Sequence, residues 1–308
     1  MRLIRGIHHL QAMPNGCVLT IGNFDGVHLG HRAVLQKLSQ QGQQLGLPVV
    51  LMVFEPQPLE FFLKNNAPSR LTRLREKVIH LYDAPIDELL IVRFDQTLAD
   101  YDPEQFVKEL LVERLNVKHL VVGDDFHFGK ARKGNFALLQ QKGKKYGFTV
   151  EDTLSYLINN LRVSSTLIRD ALSDGDLIKA ECLLGRAYSV CGRVIRGKQI
   201  GRTLDFPTAN IQLSRHNTPI EGVFAVSMTG VGSKPLCGVA NVGTRPTITG
   251  NDEVLLETHL FNFNKEIYGH YVEVHFHHKL RSERRFQSLD ELKQQIQRDV
   301  VEAKKLCR

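Results

Sequence analysis

Apolar residues come in short dense runs over the first half of the chain, separated by longer segments of helical period. Cys17–Gly22, Pro48–Phe54, Leu89–Phe94, His119–Gly123 and Phe148–Glu151 read as strands. The second is apolar almost throughout, as in a strand covered on both faces. Between them 31–45, 71–82, 103–115 and 133–146 read as helices. Val34, Leu35, Leu38 and Leu45 share a side of the first, and Pro103 opens the third. Two short helices over 165–172 and 176–184 follow. Strands alternating with helices predict a parallel sheet in an open α/β fold, whose ligands bind beyond the carboxyl ends of the strands.

After Gly185 the pattern changes. Short β-like runs at 188–195, 223–228, 237–242, 255–261 and 271–276 are separated by Gly, Pro, Asn and Asp. That rhythm predicts a small antiparallel barrel. Ser288–Lys305 is amphipathic, with Leu289, Leu292, Ile296 and Val300 in one stripe, Ser288 as N-cap and Glu291 completing a capping box. The chain therefore divides into 1–184 and 185–308.

The 308 residues are 42% apolar, enough for two cores. No signal peptide or membrane-spanning segment is expected. Cys17, Cys182, Cys191, Cys237 and Cys307 are dispersed without a CxxC pair, which fits reduced thiols in a cytoplasm. Residues 185–308 hold 18 Lys/Arg against 12 Asp/Glu, and so carry most of the net +7. That excess suits an anionic ligand, nucleotide or RNA. The barrel has neither interleaved stacking aromatics nor a single basic stripe, so a nucleic-acid partner is not expected.

Two segments carry candidate chemistry. The first is Gly22-Asn23-Phe24-Asp25-Gly26-Val27-His28-Leu29-Gly30-His31, where a strand gives way to a helix. His28 and His31 are one helical turn apart, Gly30 lacks a Cβ, and the helix start adds free N–H groups. Such a site stabilises charge on a triphosphate during attack at its α-phosphorus, with no protein nucleophile required. A bare HxGH carries little specificity by itself. The second segment is Phe206-Pro207-Thr208-Ala209-Asn210-Ile211, after a loop containing Gly197, Lys198, Gly201, Arg202 and Thr203. On a strand Thr208 and Asn210 project from one face, offering a hydroxyl and an amide oxygen to Mg²⁺–ATP. Two unlike phosphate-handling segments point to two successive ATP-dependent steps.

The flanks sharpen this reading. GNFDGVHLGH, FEPQP at 54–58, VGDDFHFG at 122–129 and RVSSTLIR at 162–169 closely resemble the FAD synthetase module of bacterial bifunctional riboflavin kinase/FAD synthetases. GRTLDFPTANI, GVFAV at 222–226, GVANVGTRPT at 238–247 and LETHLFNF at 256–263 resemble the riboflavin kinase module of the same family, in the same order. The resemblance implies a Rossmann-like nucleotidyltransferase domain over 1–184 and a Greek-key barrel with a C-terminal helix over 185–308. It implies ATP on Gly22, Phe24, Asp25, His28, Gly30, His31, Ser164, Ser165, Thr166 and Arg169. Flavin falls near Phe54, Pro56, Pro58, Asp125 and Phe128. In the barrel, Gly197, Gly201, Thr203, Thr208 and Asn210 would bind ATP, the last two with Mg²⁺. Glu257, rather than Glu253, would accept the proton of the riboflavin 5′-hydroxyl.

Two departures stand out: relatives usually carry Gly where Asp205 stands, and several carry Asn at Asp125. A carboxylate beside a phosphate loop repels ATP unless it turns away or meets a cation. The substrates implied are riboflavin, FMN and ATP; no membrane partner is expected, and a weak homo-oligomer is the working expectation. Rival readings are an adenylyl- or cytidylyltransferase of another substrate, and a nucleic-acid-binding barrel. His275, His277 and His278 lack a further ligand pair and read as a strand edge, not a metal site.

Overall fold

The computed structural model describes the chain except for residues 124, 154, 155, 159, 198–200, 202–205, 214, 216, 247–251, 307 and 308, and the side chains of 244–246 and 252–253. It divides into two compact units, Met1–Pro68 with Lys77–Val163, and Ser69–Glu76 with Ser164–Arg308. Among the described residues no helix is long and apolar enough to cross a membrane.

The first unit is built on a parallel sheet. Its strands are β1 (Arg2–Arg5), β2 (Cys17–Ile21), β3 (Val49–Glu55), β4 (Glu88–Arg93), β5 (Val117–Val122) and β6 (Thr149–Asp152), in the order β1-β4-β3-β2-β5-β6. Every pairing is parallel. Strand β2 is buried at all five positions and β3 at its first six, as a strand covered on both faces must be. Helices α1 (Leu29–Leu45), α2 (Pro58–Leu63), α3 (Leu74–His80), α4 (Gln96–Ala99), α5 (Pro103–Gln105) and α6 (Phe136–Tyr146) connect them. From Phe106 to Arg114 the helix begun by α5 continues with π winding. Asn135 caps α6 and shortens the predicted helix at its start. Strand β1 has no counterpart in the sequence reading: RLIR offers only Leu3 and Ile4 as apolar residues, and it is an edge strand paired to β4 alone.

The second unit holds a closed antiparallel barrel. Strands β9 (Tyr188–Ile195), β10 (Ala209–Gln212), β11 (Gly222–Thr229), β12 (Leu236–Pro246), β13 (Asp252–Leu260) and β14 (Tyr271–Arg281) close in the order β10-β13-β12-β11-β14-β9. A small hairpin of β7 (Leu157–Ile158) and β8 (Leu161–Arg162) precedes it in the chain and belongs to the first unit. Strands β11 to β13 form a meander and β14 returns beside β11, which is the Greek-key order. Helix α9 (Leu289–Leu306) packs Val300 and Ala303 onto Val223, Ala225 and Val239. Ser288 accepts from the Glu291 amide, as predicted, but Leu289 is 62% exposed, so the buried stripe starts lower down the helix. Helices α7 (Ser165–Asp174) and α8 (Leu177–Leu184) belong to this unit, because α8 lays Leu177, Ala180, Leu183 and Leu184 against the barrel.

The stretch Ser69–Glu76 also belongs to the second unit, and a buried ion pair fixes it there. Glu76 and Arg215 are 1% and 3% exposed, with 2.5 Å between them. Glu76 also accepts from the amides of Cys191 (2.8 Å) and Arg73 (2.6 Å), and Arg215 donates to the Tyr188 hydroxyl and the Arg70 carbonyl. Removing one charge of such a pair leaves the other buried and uncompensated, at about 3–5 kcal/mol. Glu76→Gln should therefore lower the unfolding transition that carries the barrel by that order, in urea titrations followed by circular dichroism. An unchanged midpoint would show that the pair does not hold this segment.

Candidate active sites

The first candidate site lies along the carboxyl edge of the parallel sheet. Connections from β2 and β5 run to opposite sides of the strand order, so the switch point falls between these two strands. The GNFDGVHLGH loop leaves the end of β2, and VGDDFHFG leaves the end of β5. FEPQP leaves β3, next to β2. Three strings far apart in sequence thus reach one edge.

His28 is the N-cap of α1, and its Nδ1 accepts from the His31 amide at 3.2 Å. An accepting Nδ1 leaves the ring proton on Nε2, which then serves as a donor. The two imidazoles stack at 3.6 Å between centroids, and the Phe24 ring continues the stack on His31 at 4.5 Å. Phe24 and Val27 adopt left-handed φ of 47° and 43°. Such conformations cost on the order of 1–3 kcal/mol each and are held by their surroundings. Lys77 is one such support: fully buried, it donates its ammonium to the Asn23 carbonyl at 2.5 Å. No sequence pattern connects Lys77 to this loop. Asp25 is 2% exposed.

Around the end of β3, Phe54 meets Phe94 edge-on at 5.7 Å, and Phe94 meets Phe61 and Phe62 at 5.5 and 5.7 Å. Phe62 is 59% exposed, so this cluster presents an aromatic face able to take a flat ring. Pro56 follows Glu55 in a cis peptide, and Pro58 opens α2 behind a Gln57–Glu60 capping box. Phe128 is packed in the core with Phe106 and backs Phe126, while Asp125 is exposed. Phe62 and Phe94 were missed by the sequence reading, since lone aromatics do not announce a cluster.

Ser164, Ser165, Thr166 and Arg169 open α7, in the second unit, whereas His28 and His31 belong to the first. Ser164 accepts from the Leu167 amide as a cap, and Arg169 donates Nε to the Ser69 carbonyl at 2.6 Å.

The second candidate site is in the barrel. Asn210 on β10 stands opposite Glu257 on β13, and Asn241 on β12 stands opposite Glu257 from the other side. Directly opposed residues share a face, so one carboxylate lies between two amides. Asn210 is 7% exposed; Asn241 donates to Glu283 at 2.8 Å. Beside this row opens a pocket of about 420 Å³, lined by Gly197, Thr208 and Asn210 and by the stretch 263–268, which brings Phe263, Ile267 and Tyr268. A Cβ on Gly197 would sit 2.4 Å from the Asn210 amide, so only glycine lets this loop pass. The close backbone, the hydroxyl of Thr208 and the amide of Asn210 form a cradle of hard donors that fits a phosphate-bound Mg²⁺. Thr203, Asp205 and the side chain of Glu253 lie outside the described residues. The pocket wall at 263–268 and the Asn241–Glu283 pair are additions to the sequence reading, which had no access to strand register.

Cys17, Cys182 and Cys191 are free thiols, and burial pushes the first and third up to about 12, so neither is reactive. Cys237 is disulfide-bonded, against the expectation that every thiol stays reduced; Cys307 lies outside the described residues. His277 faces Ser227 at 2.8 Å, and no group of three His, Cys, Asp or Glu is gathered as for a metal among the described residues.

Two family models match the chain, one for FAD synthetase over residues 10–167 and one for riboflavin kinase over residues 184–307. The bifunctional riboflavin kinase/FMN adenylyltransferase of Escherichia coli K12 is 52% identical over 305 residues, covering 99% of this chain and 97% of that protein. Its namesake from Haemophilus influenzae is 51% identical over 304 residues, covering 99% and 98%. A solved Streptococcus pneumoniae structure, described as a macrolide-efflux protein, matches with TM-score 0.81 at 28% identity over 97% of each chain. The fold and the sites define a two-domain transferase that acts with nucleotides. The chain belongs to the family of bifunctional riboflavin kinase/FMN adenylyltransferases, with its FAD synthetase domain first and its riboflavin kinase domain second. Both activities and their order along the chain are those the motifs led us to expect.

Proposed function

We propose that residues 185–308 phosphorylate riboflavin to FMN at the Asn210–Glu257–Asn241 row, and that residues 1–184 adenylylate FMN at the carboxyl edge of the sheet. The observation that carries the first assignment is the cross-strand pairing of Asn210 with Glu257 beside a pocket of nucleotide size. Glu257 takes the proton from the riboflavin 5′-hydroxyl as that oxygen bonds to the γ-phosphorus and the bond to ADP breaks. Thr208 and Asn210 hold the Mg²⁺ that accompanies ATP, and that ion offsets phosphate charge.

In the second step a phosphate oxygen of FMN bonds to the α-phosphorus of another ATP, and pyrophosphate leaves. The Nε2–H of His28, with His31 and the start of α1, stabilises the charge that builds on the phosphates. The isoalloxazine stacks at the Phe54–Phe94–Phe62 cluster, and Asp125 meets its polar groups. Use of ATP in both steps supports a cytoplasmic enzyme.

Incubation with riboflavin, ATP and Mg²⁺, followed by chromatography, tests both halves. FMN should appear first and FAD after it, and chelation of the metal should stop both. Absence of FMN would overturn the kinase assignment; FMN without FAD would overturn the adenylyltransferase assignment.

A further inference from the structure

The barrel pocket contains a polar group that the described residues leave unbonded. Thr258 lines the pocket from β13 and is fully buried, and its hydroxyl has no hydrogen-bond partner among the described residues. Strand register explains why. Its opposed neighbours are Ala209 on β10 and Ala240 on β12, and neither side chain can donate or accept. The next residue on its face, Leu260, is apolar and lines the same pocket. A buried hydroxyl left without a bond is a cost to the fold, and valine would fill the same space without it. A threonine kept there makes sense if something entering the pocket completes its bond.

Resting on the reading of this pocket as the kinase nucleotide site, we infer that Thr258 Oγ1 hydrogen-bonds the base or ribose of the bound nucleotide and sets its affinity. Two observations favour the nucleotide over the flavin. The pocket is walled by Gly197, Thr208 and Asn210, the phosphate-handling groups, and by Tyr268 and Phe263, rings suited to a base. Thr258 shares its face of β13 with Ala209 and lies opposite the face of Glu257 and Asn210, so it is set for the base or ribose and not for the phosphates. It therefore does not reach the reacting hydroxyl. Thr258 acts on nucleotide binding and leaves phosphoryl transfer alone.

The test is riboflavin kinase kinetics on the full chain with Thr258→Val and Thr258→Ser, beside thermal unfolding without ligand. Valine should raise KM for ATP about fivefold, as loss of one neutral hydrogen bond does, with kcat and KM for riboflavin within about twofold of wild type. Its melting temperature without ligand should equal or exceed that of wild type. Serine keeps the hydroxyl and should restore KM for ATP. An unchanged KM in the valine variant, an equal rise in the serine variant, or a valine variant that fails to fold would each overturn the inference. The last would mean that the hydroxyl serves the fold. Asn210→Ala in the same assay separates the two levels. If it leaves phosphorylation intact, the reading of the pocket falls. If it cripples phosphorylation while valine at 258 changes nothing, only the role of Thr258 falls.

Discussion

Glu257→Gln is expected to lower riboflavin phosphorylation by about 10²–10⁴-fold, the range for loss of a general base, and to leave FMN adenylylation at its native rate. The geometry makes glutamine a clean probe. Glu257 is half-buried on β13 between Asn210 and Asn241. A glutamine amide fills the same volume and hydrogen-bonds equally well to two asparagines, but it cannot accept the proton of the attacking hydroxyl. Stability should therefore hold while turnover collapses. If Glu257 served only to order the row of side chains across β10, β13 and β12, the variant would melt early and keep its kcat per folded molecule. Both half-reactions and thermal unfolding, measured on one preparation, distinguish these outcomes. Near-native kinase turnover would transfer the base role elsewhere, Glu253 being another carboxylate on this strand, opposite Arg245.

The barrel half was legible in the sequence as a rhythm but not as an arrangement. Turn residues at short intervals mark where strands end, so five of its six strands could be placed from Gly, Pro, Asn and Asp alone. The four-residue β10 was recognisable only through Pro207 and the same-face logic of Thr208 and Asn210. Which strand lies beside which is set by long-range pairing, and no local pattern reports it. That is why Glu257 could be named from its flanks while its two asparagine neighbours, and the hydroxyl of Thr258 behind it, could not. The Glu76–Arg215 pair is the same case at greater distance: two charged residues 139 positions apart are invisible as partners until the chain is folded.

In the sheet half the apolar runs gave β2 to β5 because strands buried on both faces are apolar nearly throughout, while the edge strand β6 is exposed or half-buried along its length. Strand β1 escaped because an edge strand needs little apolar surface. The HxGH turn was legible because its chemistry is local: a cap, a glycine and a helix start are consecutive in the chain. Lys77 and Phe94, which reach their loops from other elements, were not.

That local character gives the sharpest test of the first site. His28 has two jobs in this reading: its Nδ1 caps α1 by accepting from the His31 amide, which leaves the ring proton on Nε2 as a donor. His28→Ala removes both, so a loss of activity would be mixed with a capping loss of about 0.5–2 kcal/mol. Asparagine separates them, because its side-chain oxygen is among the best N-cap acceptors while it lacks an imidazole. His28→Asn should melt close to wild type, form FMN at the native rate, and lose about 10²–10³ in FMN adenylylation, as when one preorganised donor to a developing charge is removed. His31→Ala should show a similar kinetic loss with the cap untouched, since its backbone amide remains. Should His28→Asn adenylylate FMN normally while His28→Ala does not, the histidine would be a cap and nothing more. Triphosphate charge would then have to be met by His31 and the amides at the start of α1.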